Sequence, residues 1–312
     1  MKKSILYLFT LLTILLFSLP VSAAEKSYKE GIFTYTISKK TVTITNAEDT
    51  MSVIEVPKTI KGYPVVAIGD GAFGGSTMVE EVILPDTVTT IGDFCFAYSN
   101  SLKKVTLSNQ LKAISDGAFY HCEGLWTVTI PDGVKTIDKN AFGRCTNLTA
   151  VTIPASVNQI GENAFPDTED IRLYGKMGSV AFAYAQKHDL AFEEYVTVTL
   201  NGKKILFDQP CITNTEHFRT LVPMRAVLED LGAVITWDNT FNTAGIDVLG
   251  TRILIRPDEP FMMVNGVVHY LSCPAVEFNG RVMVPIRDVM ETLGGKVDWK
   301  EDTKTVVITL AH

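Results

Sequence analysis

The chain has 312 residues, of which 46% are hydrophobic and 20% are charged, and its formal net charge is −7 at pH 7. This length accommodates two or three domains, and the composition is that of an ordinary globular protein, which excludes a disordered or collagen-like chain. An acidic chain without a basic tract argues against nucleic acid or anionic lipid as a partner.

The first 24 residues have the three parts of a secretory signal peptide. Lys2 and Lys3 precede an apolar run from Ile5 to Leu19, and Val21-Ser22-Ala23 follows as a cleavage sequence. The alternative is an uncleaved membrane anchor, but the apolar run is shorter than the roughly 20 residues that span a bilayer. We therefore expect export with removal of residues 1–24, and no membrane span in the remaining chain.

A segment of the form Ile-Gly-Asp-x-x-Phe, or a close variant of it, returns every 23 residues, at 68–73, 91–96, 114–119, 137–142 and 160–165. A fixed period of this length is typical of a solenoid, in which successive turns of chain stack on one another. A strand-like triplet such as Val128-Thr129-Ile130 follows, and its first and third residues should point inward. The rung from 114 to 134 is predicted to bury Ile114, Ala118, Phe119, Leu125, Val128, Ile130 and Val134.

One rung buries less apolar surface than is needed to offset the entropy of ordering its backbone, so both ends of the stack must be closed. Upstream, residues 33–37 and 41–44 alternate as a hairpin, which together with the first rung gives a capping unit over residues 25–67. Downstream, the last rung is shortened to 171–175, and Ser179 should cap a helix from Val180 to His188. The solenoid with its closing helix is therefore predicted over residues 68–193.

The repeated pattern Ile-Gly-Asp-x-Ala-Phe, then a small residue or Cys, Leu and Val-x-Ile-Pro, resembles the leucine-rich repeats of BspA-like bacterial surface proteins. The likeness covers roughly residues 50 to 193 and includes the ending, from Tyr174 to Phe192. It implies a right-handed solenoid, with strands on one face, in a surface or secreted protein.

Five cysteines are an odd number for an exported chain. Cys122 and Cys145 are one period apart and should lie one above the other, while Cys95 takes the place of an alanine. We expect buried thiols that pack as small apolar groups, and a Cys122–Cys145 disulfide is the alternative. Cys211 and Cys273 lie outside the solenoid, and their pairing is left open.

A different duplication begins at residue 196. Residues 219–225 recur as 281–287, and from Pro223 onward the offset is 62. We expect a domain over residues 196–312 with halves at about 196–257 and 258–312. Each half reads as a hairpin, a short helix and a second hairpin, so each is predicted to form a sheet wrapped on its own helix.

The two predicted helices carry matching signals. Pro223 and Pro285 suit the first helical position, and Gly232 and Gly294 suit the left-handed stop. Helical spacing predicts one apolar stripe on each helix, formed by Met224, Val227, Leu228 and Leu231 and by Ile286, Val289, Met290 and Leu293.

Charged pairs on the helices and Asn-Gly turns between strands are also predicted. Arg225 with Glu229, and Arg287 with Glu291, are four residues apart and are predicted to pair on the exposed sides. Asn-Gly at 201, 265 and 279 predicts tight hairpin turns.

The duplicated series Val-Pro-x-Arg, Glu, Leu-Gly, Trp resembles the amino-terminal stalk domain of bacterial copper amine oxidases. Lys300 departs from the pattern, which usually has the Asp seen at Asp238. The resemblance implies an α+β module without the oxidase reaction, because that reaction belongs to a separate domain with copper-binding histidines and a tyrosine in an Asn-Tyr context. This chain has no Asn-Tyr and no His-x-His, so we expect neither metal nor cofactor.

Signatures of other catalytic classes are missing from the sequence. Residues 69–74 spell a dinucleotide fingerprint, but the segment recurs at 114–120 with only one of its three glycines, so we interpret it as a rung corner. No Gly-x-Ser-x-Gly, phosphate loop or His-Glu-x-x-His is present. The chain is predicted not to be an enzyme, and a hydrolase of unfamiliar type is a minor alternative.

One group of side chains is a candidate ligand surface. Trp126 occupies a column that elsewhere holds Glu80, Lys103 and Thr149, so it should be exposed beside the outer face of the strands. Exposed rings with polar neighbours suit a sugar or a peptide, although a lone Trp packed on the next rung is the alternative. The other candidates lie in nearby corner columns and are Tyr98, Tyr120, His121 and Arg144.

Together these features predict a mainly β protein that is secreted or held at the cell wall. The expected function is non-enzymatic binding or adhesion, in which the solenoid presents a face to a protein or polysaccharide ligand and the C-terminal domain is a spacer or docking module. The alternative is an accessory or sensor protein of cell-wall polysaccharide metabolism that recognises its target through the stalk-like domain.

Overall fold

A computed structural model describes residues 26–165, 170–214, 216–217, 219–278 and 280–310. The predicted signal peptide and the Asn-Gly turn at Asn279 lie outside the described residues. Two main hydrophobic cores are present, one built from side chains between Phe33 and Ala185 and one from side chains between Val198 and Leu310.

The amino-terminal hairpin is present and continues into the first rung. Its strands and those of that rung are β1 (Ser27–Glu30), β2 (Phe33–Ser38), β3 (Thr41–Ala47), β4 (Val53–Glu55), β5 (Thr59–Ile60) and β6 (Tyr63–Ile68). β2 pairs antiparallel with β3, and β3 pairs in parallel with β6. β1, which the sequence pattern did not indicate, covers the other edge of β2.

Each later rung contributes short strands that pair in parallel with the equivalent strands of its neighbours. They are β7 (Glu81–Ile83), β8 (Thr90–Ile91), β9 (Lys104–Thr106), β10 (Ala113–Ile114), β11 (Thr127–Thr129), β12 (Thr136–Ile137), β13 (Ala150–Thr152), β14 (Gln159–Ile160) and β15 (Arg172–Gly175). The pairing of Val128 with Val151 is one period of 23 residues, which confirms the solenoid. Both ladders are interrupted once, the longer strands between β9 and β11 and the two-residue strands between β8 and β10.

The predicted inward columns form the core of the solenoid. All seven side chains predicted for the rung from 114 to 134 are buried. Five phenylalanine rings stack along the solenoid, with successive centroids 5.0, 5.0, 5.1 and 5.6 Å apart: Phe73, Phe96, Phe119, Phe142 and Phe165. This spacing is close to the roughly 4.8 Å between neighbouring strands, so the ring column has the same repeat as the backbone. Val105, beside the interrupted ladder, is only partly buried.

The closing helix covers the end of this column. α1 (Val180–Lys187) begins after Ser179, whose hydroxyl accepts a hydrogen bond from the Phe182 N–H at 3.3 Å, as the sequence predicts. Tyr184 meets the last ring, Phe165, edge-on at 5.6 Å. β16 (Ala191–Glu194), which follows, adds a further parallel strand beside β15.

The cysteine column of the solenoid is also a hydrogen-bonding column. All five cysteines of the chain are free and buried. Cys122 and Cys145 donate their Sγ protons to the carbonyls of Phe96 and Phe119, each at 3.0 Å. One rung earlier, the Ser99 hydroxyl makes the same bond at 2.8 Å to the carbonyl 26 residues before it. The column therefore requires a small buried donor, which Ser and Cys both supply.

The second domain repeats one order of elements. The first half contains β17 (Thr197–Leu200), β18 (Lys203–Ile205), β19 (Ile212–Asn214), β20 (Arg219–Pro223), α2 (Met224–Glu229), β21 (Val234–Asp238), β22 (Thr243–Val248) and β23 (Thr251–Ile255). The second half contains β24 (Phe261–Val264), β25 (Val267–Tyr270), β26 (Val276–Phe278), β27 (Arg281–Pro285), α3 (Ile286–Thr292), β28 (Lys296–Lys300) and β29 (Thr305–Thr309).

The two halves share every sheet of this domain, so the prediction of one separate sheet for each half was wrong. β17 pairs with β29, β20 with β27, and β23 with β24. The hairpin that opens each half therefore pairs with strands that follow the helix of the other half. A shared sheet lets both helices bury their apolar stripes in one common core.

The helix signals place the helices to within one residue. Pro223 and Pro285 are N-cap residues, one position before the predicted first turn. Gly232 and Gly294 have φ of 78° and 81°, which is the predicted left-handed stop. The buried stripe residues are Met224, Val227, Leu228, Ile286, Val289 and Met290.

Candidate functional site

Tyr98, Tyr120 and His121 lie together on the solenoid and form what we call the aromatic patch. Tyr98 stacks on His121 with ring centroids 5.2 Å apart, and it meets Tyr120 edge-on at 5.7 Å. Tyr98 is 53% exposed, while Tyr120 and His121 are half-buried. The patch therefore offers one open ring face with two supporting rings behind it.

Tyr98, His121 and Arg144 occupy the same corner in successive rungs; with Gly75 we name them the corner column. Their φ values are 61°, 61° and 60°, and that of Gly75 is 73°. A left-handed backbone suits glycine and costs other residues roughly 1 to 2 kcal/mol each. Three rungs place a large side chain on this backbone where the rung that begins at Ile68 has glycine.

Neighbouring rungs hold the patch in place. The Tyr98 N–H donates to the Tyr120 carbonyl, and the His121 N–H donates to the Gly143 carbonyl, both at 2.8 Å. Gly143 leaves room for the Tyr120 ring, because a Cβ at 143 would lie 3.1 Å from a ring carbon. His121 Nδ1 is 3.3 Å from the Glu123 carboxylate but lacks hydrogen-bond geometry.

Phe94 is an exposed ring that the sequence reasoning missed. Its φ is 54°, and its column holds Gly71, Gly117 and Asn140 in other rungs. The ring lies over Gly117, where a Cβ would come within 2.4 Å of it. The sequence could have identified it, because a Phe stands out in a column that otherwise holds glycine and asparagine. Phe94 adds apolar area to the same corner turn as Tyr98.

Trp126 is 51% exposed but belongs to a different surface from the patch. It lines a cavity of about 310 Å³ between the two domains, with Lys104 on the solenoid side and Asp208 and Arg281 on the other. No ring contact joins Trp126 to the aromatic patch in the part of the chain that the structure describes. The five predicted ligand residues therefore divide between two surfaces.

The second domain covers much of the strand face, which we define by the outward side chains Thr106, Thr129 and Thr152. A mostly apolar cavity of about 300 Å³ separates this face from residues 195–197 and 204–211. The hydroxyls of Thr129 and Thr152 are shielded from water and have no hydrogen-bond partner, whereas Thr106 remains exposed. The strand face is thus an interdomain surface.

Charged side chains join the two domains at the margins of this cleft. Lys204 forms an ion pair with Asp132. Lys104 Nζ lies 3.6 Å from Asp208 Oδ2, which also binds Arg281 Nη2 at 2.6 Å. These groups are partly exposed, and such pairs contribute about 0 to 1 kcal/mol each. These ion pairs therefore add little to the stability of the interface between the domains.

Family models match both parts of the chain. Residues 65–187 match the BspA type leucine rich repeat region in six copies, and residues 199–308 match the copper amine oxidase N-terminal domain. The chain joins a BspA type repeat region to an amine oxidase N-terminal domain. A search of curated proteins gave no match.

Several solved leucine-rich repeat proteins are similar to part of this chain. A T. pallidum leucine rich repeat protein is 28% identical, with 48% of this chain and 71% of that chain covered and a TM-score of 0.45. One from Bacteroides capillosus is 34% identical, with 35% and 86% covered and a TM-score of 0.34. A leucine rich cell surface protein from Faecalibacterium prausnitzii is 24% identical, with 49% and 40% covered and a TM-score of 0.44.

The amine oxidase N-terminal domain forms one of the two predicted helix ion pairs, and the prediction of the other was wrong. Arg225 Nη1 is 3.7 Å from Glu229 Oε1 on α2. On α3, Arg287 and Glu291 form no ion pair among the described residues, although they have the same spacing. Both positions are on exposed helix surfaces, so these groups belong to the solvated side of the domain.

The described ranges contain no group of three or more His, Cys, Asp or Glu side chains that could hold a metal ion. In the same ranges, no helix has the length and apolar character required to traverse a bilayer.

Proposed function

We propose that this protein is a secreted or cell-surface, non-enzymatic binding or adhesion protein whose BspA type repeat region presents the aromatic patch to a protein or polysaccharide ligand. The observation that carries this proposal is the corner column, in which Tyr98 and His121 retain large side chains on a backbone that favours glycine. The repeat family supports it, because BspA type repeats are typical of bacterial surface proteins.

The chemistry of the patch favours a ligand with a flat apolar face and hydrogen-bonding edges. The open face of Tyr98 suits the apolar face of a sugar ring or the side chain of a peptide. His121 and Arg144, in the next two rungs, add polar groups beside that face. A chain-like ligand that runs along the corner column would meet these three side chains in succession.

The second domain serves as a spacer or docking module in this proposal. It lies against the strand face, so the corner side of the solenoid remains for a ligand. The non-enzymatic assignment is supported by the matched families, because the amine oxidase N-terminal domain does not carry the oxidase reaction. The sequence of residues 1–24, which has the three parts of a signal peptide, supports export.

The test uses glycine substitutions, because glycine accepts the left-handed backbone while removing the side chain. We expect Tyr98→Gly and His121→Gly to leave the thermal midpoint unchanged or slightly raised. We expect each to weaken binding by at least about tenfold on a glycan array and on a panel of immobilised matrix proteins. Asn163→Gly is the matched control, since Asn163 has a φ of 51° at a corner away from the patch.

Unchanged binding by both patch variants would contradict the proposal, and so would an equal loss in Asn163→Gly. Loss of binding in Trp126→Ala or Arg281→Glu, with normal binding by the patch variants, would assign recognition to the interdomain cleft. That result would favour the alternative of an accessory or sensor protein that uses its second domain.

A further inference from the structure

β25 is an exposed apolar edge of the five-stranded sheet in the second domain. The strand order of that sheet is β21-β22-β23-β24-β25, so one side of β25 has no partner strand among the described residues. Val268 is 48% exposed and Tyr270 is 80% exposed. An edge of this kind is a template for pairing with another strand.

The hydrogen-bond phase of the hairpin shows which backbone groups are free. Antiparallel pairs alternate between hydrogen-bonded and non-hydrogen-bonded positions. Val264 and Val267 flank the two-residue Asn-Gly turn, and the Leu271 N–H donates to the Pro260 carbonyl at 2.9 Å. Val267, His269 and Leu271 therefore point their backbone groups toward the sheet. Val268 and Tyr270 point theirs toward the open edge.

Most other edge strands of this domain carry charges that β25 lacks, the exception being the three-residue β19, Ile-Thr-Asn. β18 contains Lys203 and Lys204, β28 contains Lys296 and Lys300, and β21 ends at Asp238. Charged side chains, lysine above all, are a common protection of sheet edges against pairing. The sequence of β25 is Val-Val-His-Tyr, so this edge has no such protection.

We propose that β25 pairs antiparallel with β25 of a second copy of this chain, about a two-fold axis through His269. In this register Val268 faces Tyr270 of the other copy and Tyr270 faces Val268 of the other copy. Both residues present their free N–H and C=O groups to that edge, so each facing pair makes two hydrogen bonds. The two five-stranded sheets then form one continuous sheet of ten strands.

The side chains fit this arrangement. Val268 and Tyr270 lie opposite Met263 and Phe261 on one face of the sheet, and all four have apolar side-chain surface. Pairing places the Tyr270 ring of one copy beside Val268 of the other, so the most exposed ring of the strand loses contact with water. A second copy is the favoured partner because it supplies an unprotected edge with the same length and hydrogen-bond phase.

The pairing has an edge of four residues and is expected to be weak, so it should depend on protein concentration. Sedimentation velocity of the chain from residue 25 onward should show a monomer at low concentration and a dimer at high concentration. Val268→Pro removes an N–H that only the partner uses, and Tyr270→Lys adds a charge to the edge. Both variants should remain monomeric at concentrations where the unmodified chain is a dimer.

Val234→Lys is the matched control, because Val234 is 62% exposed on β21, the opposite edge of the same sheet. It should dimerise normally. A second measurement needs no variant: the amide hydrogens of Val268 and Tyr270 should exchange more slowly as concentration rises, while those of β21 should not change. A monomer at all concentrations, a dimer that survives both β25 variants, or a dimer abolished by Val234→Lys would overturn the proposal. This inference does not depend on the proposed ligand surface.

Discussion

Val222 and Val284, which are 62 residues apart in the sequence, face each other in register in the β20–β27 pair. Around them, Leu221 faces Pro285 and Pro223 faces Met283. Val222 thus faces its own equivalent in the other repeat, while Leu221 faces the equivalent of Pro223 and Pro223 faces the equivalent of Leu221, which is the pattern of a local two-fold axis. The duplication has therefore folded as one symmetric unit, and its halves depend on each other.

This dependence predicts that neither half folds alone. A fragment of residues 196–257 lacks β29, the partner of β17, and a fragment of residues 258–310 lacks β23, the partner of β24. We expect both fragments to lack a cooperative thermal transition by circular dichroism, while residues 196–310 show one. An equimolar mixture of the two fragments should recover part of the signal. A cooperative transition in either fragment by itself would contradict the shared-sheet account.

The phenylalanine column predicts a large difference between two substitutions in neighbouring rungs. Phe119 is fully buried and stacks between Phe96 and Phe142, so Phe119→Ala should cost about 3 to 5 kcal/mol of unfolding free energy. Phe94→Ala, at the exposed ring, should cost less than about 1 kcal/mol. Urea unfolding of the two variants measures both values, and similar losses would show that the column does not hold the rungs together.

The repeat made the solenoid core predictable from the sequence. A buried column such as Phe96, Phe119 and Phe142 holds the same residue type in each rung, so its position and spacing can be read directly. The interruption between β9 and β11 could not be predicted, because those rungs keep the same length, and Ser108, which stands where the neighbouring rungs have proline, does not by itself predict a break in strand pairing. The sequence also contained no indication that the second domain covers the strand face, since the Lys204–Asp132 pair joins residues that no repeat relates.

The candidate site was predictable in part. Tyr98, Tyr120 and His121 were identified as outward residues in nearby columns, but their mutual stacking depends on side-chain directions that spacing does not fix. The left-handed backbone at Tyr98 and His121 could not be predicted, because Gly75 is the one residue of that column whose type favours a positive φ. In the second domain, the repeat predicted the elements of each half, but a repeated sequence does not specify which copy a strand pairs with.

Removal of a threonine hydroxyl from the covered strand face is expected to stabilise the protein. Thr129 and Thr152 have buried hydroxyls without partners, and an unmade hydrogen bond of this kind costs roughly 1 to 3 kcal/mol. Thr129→Val and Thr152→Val keep the side-chain shape, so each should raise the unfolding free energy by up to about 1 kcal/mol. Thr106→Val is the control, because it makes the same change at an exposed position of β9. An equal effect at Thr106 would mean that the gain comes from strand propensity rather than from the closed cleft.

The buried cysteines of the folded protein are expected to react only slowly with a thiol-specific dye, even at alkaline pH. Burial raises the pKa of Cys211 to about 12 and raises the pKa of Cys95 well above its usual value. The thiolate is the reactive form, so both groups stay protonated and unreactive near pH 9. A thiol-specific dye should label all five cysteines in urea without reductant and label very few in the native state. If the dye labels only three cysteines in urea, the chain contains one disulfide, at Cys122–Cys145 or at Cys211–Cys273.

Asp49 joins the amino-terminal capping unit to the rung that begins at Ile68, and this contact predicts a loss of stability in acid. Its carboxylate accepts hydrogen bonds from the Ser76 hydroxyl at 2.5 Å and from the N–H groups of Thr77 and Met78 at 2.8 and 3.0 Å. Burial alone would raise the pKa of Asp49, but these hydrogen bonds outweigh it and lower the pKa from 3.8 to about 2.

A carboxyl group whose pKa is lower in the folded state stabilises the fold when it is ionised in both states. The contribution of Asp49 is therefore complete above about pH 4 to 5 and is lost as the pH falls toward 2. Asp49→Asn should be less stable than the unmodified chain at pH 7, and the difference should shrink between pH 4 and pH 2. Urea unfolding across this range measures it, with Asp302→Asn, an exposed carboxylate between β28 and β29, as the control. A difference between Asp49→Asn and the unmodified chain that stays constant down to pH 2 would show that the carboxylate charge does not hold the capping unit to the rung that begins at Ile68.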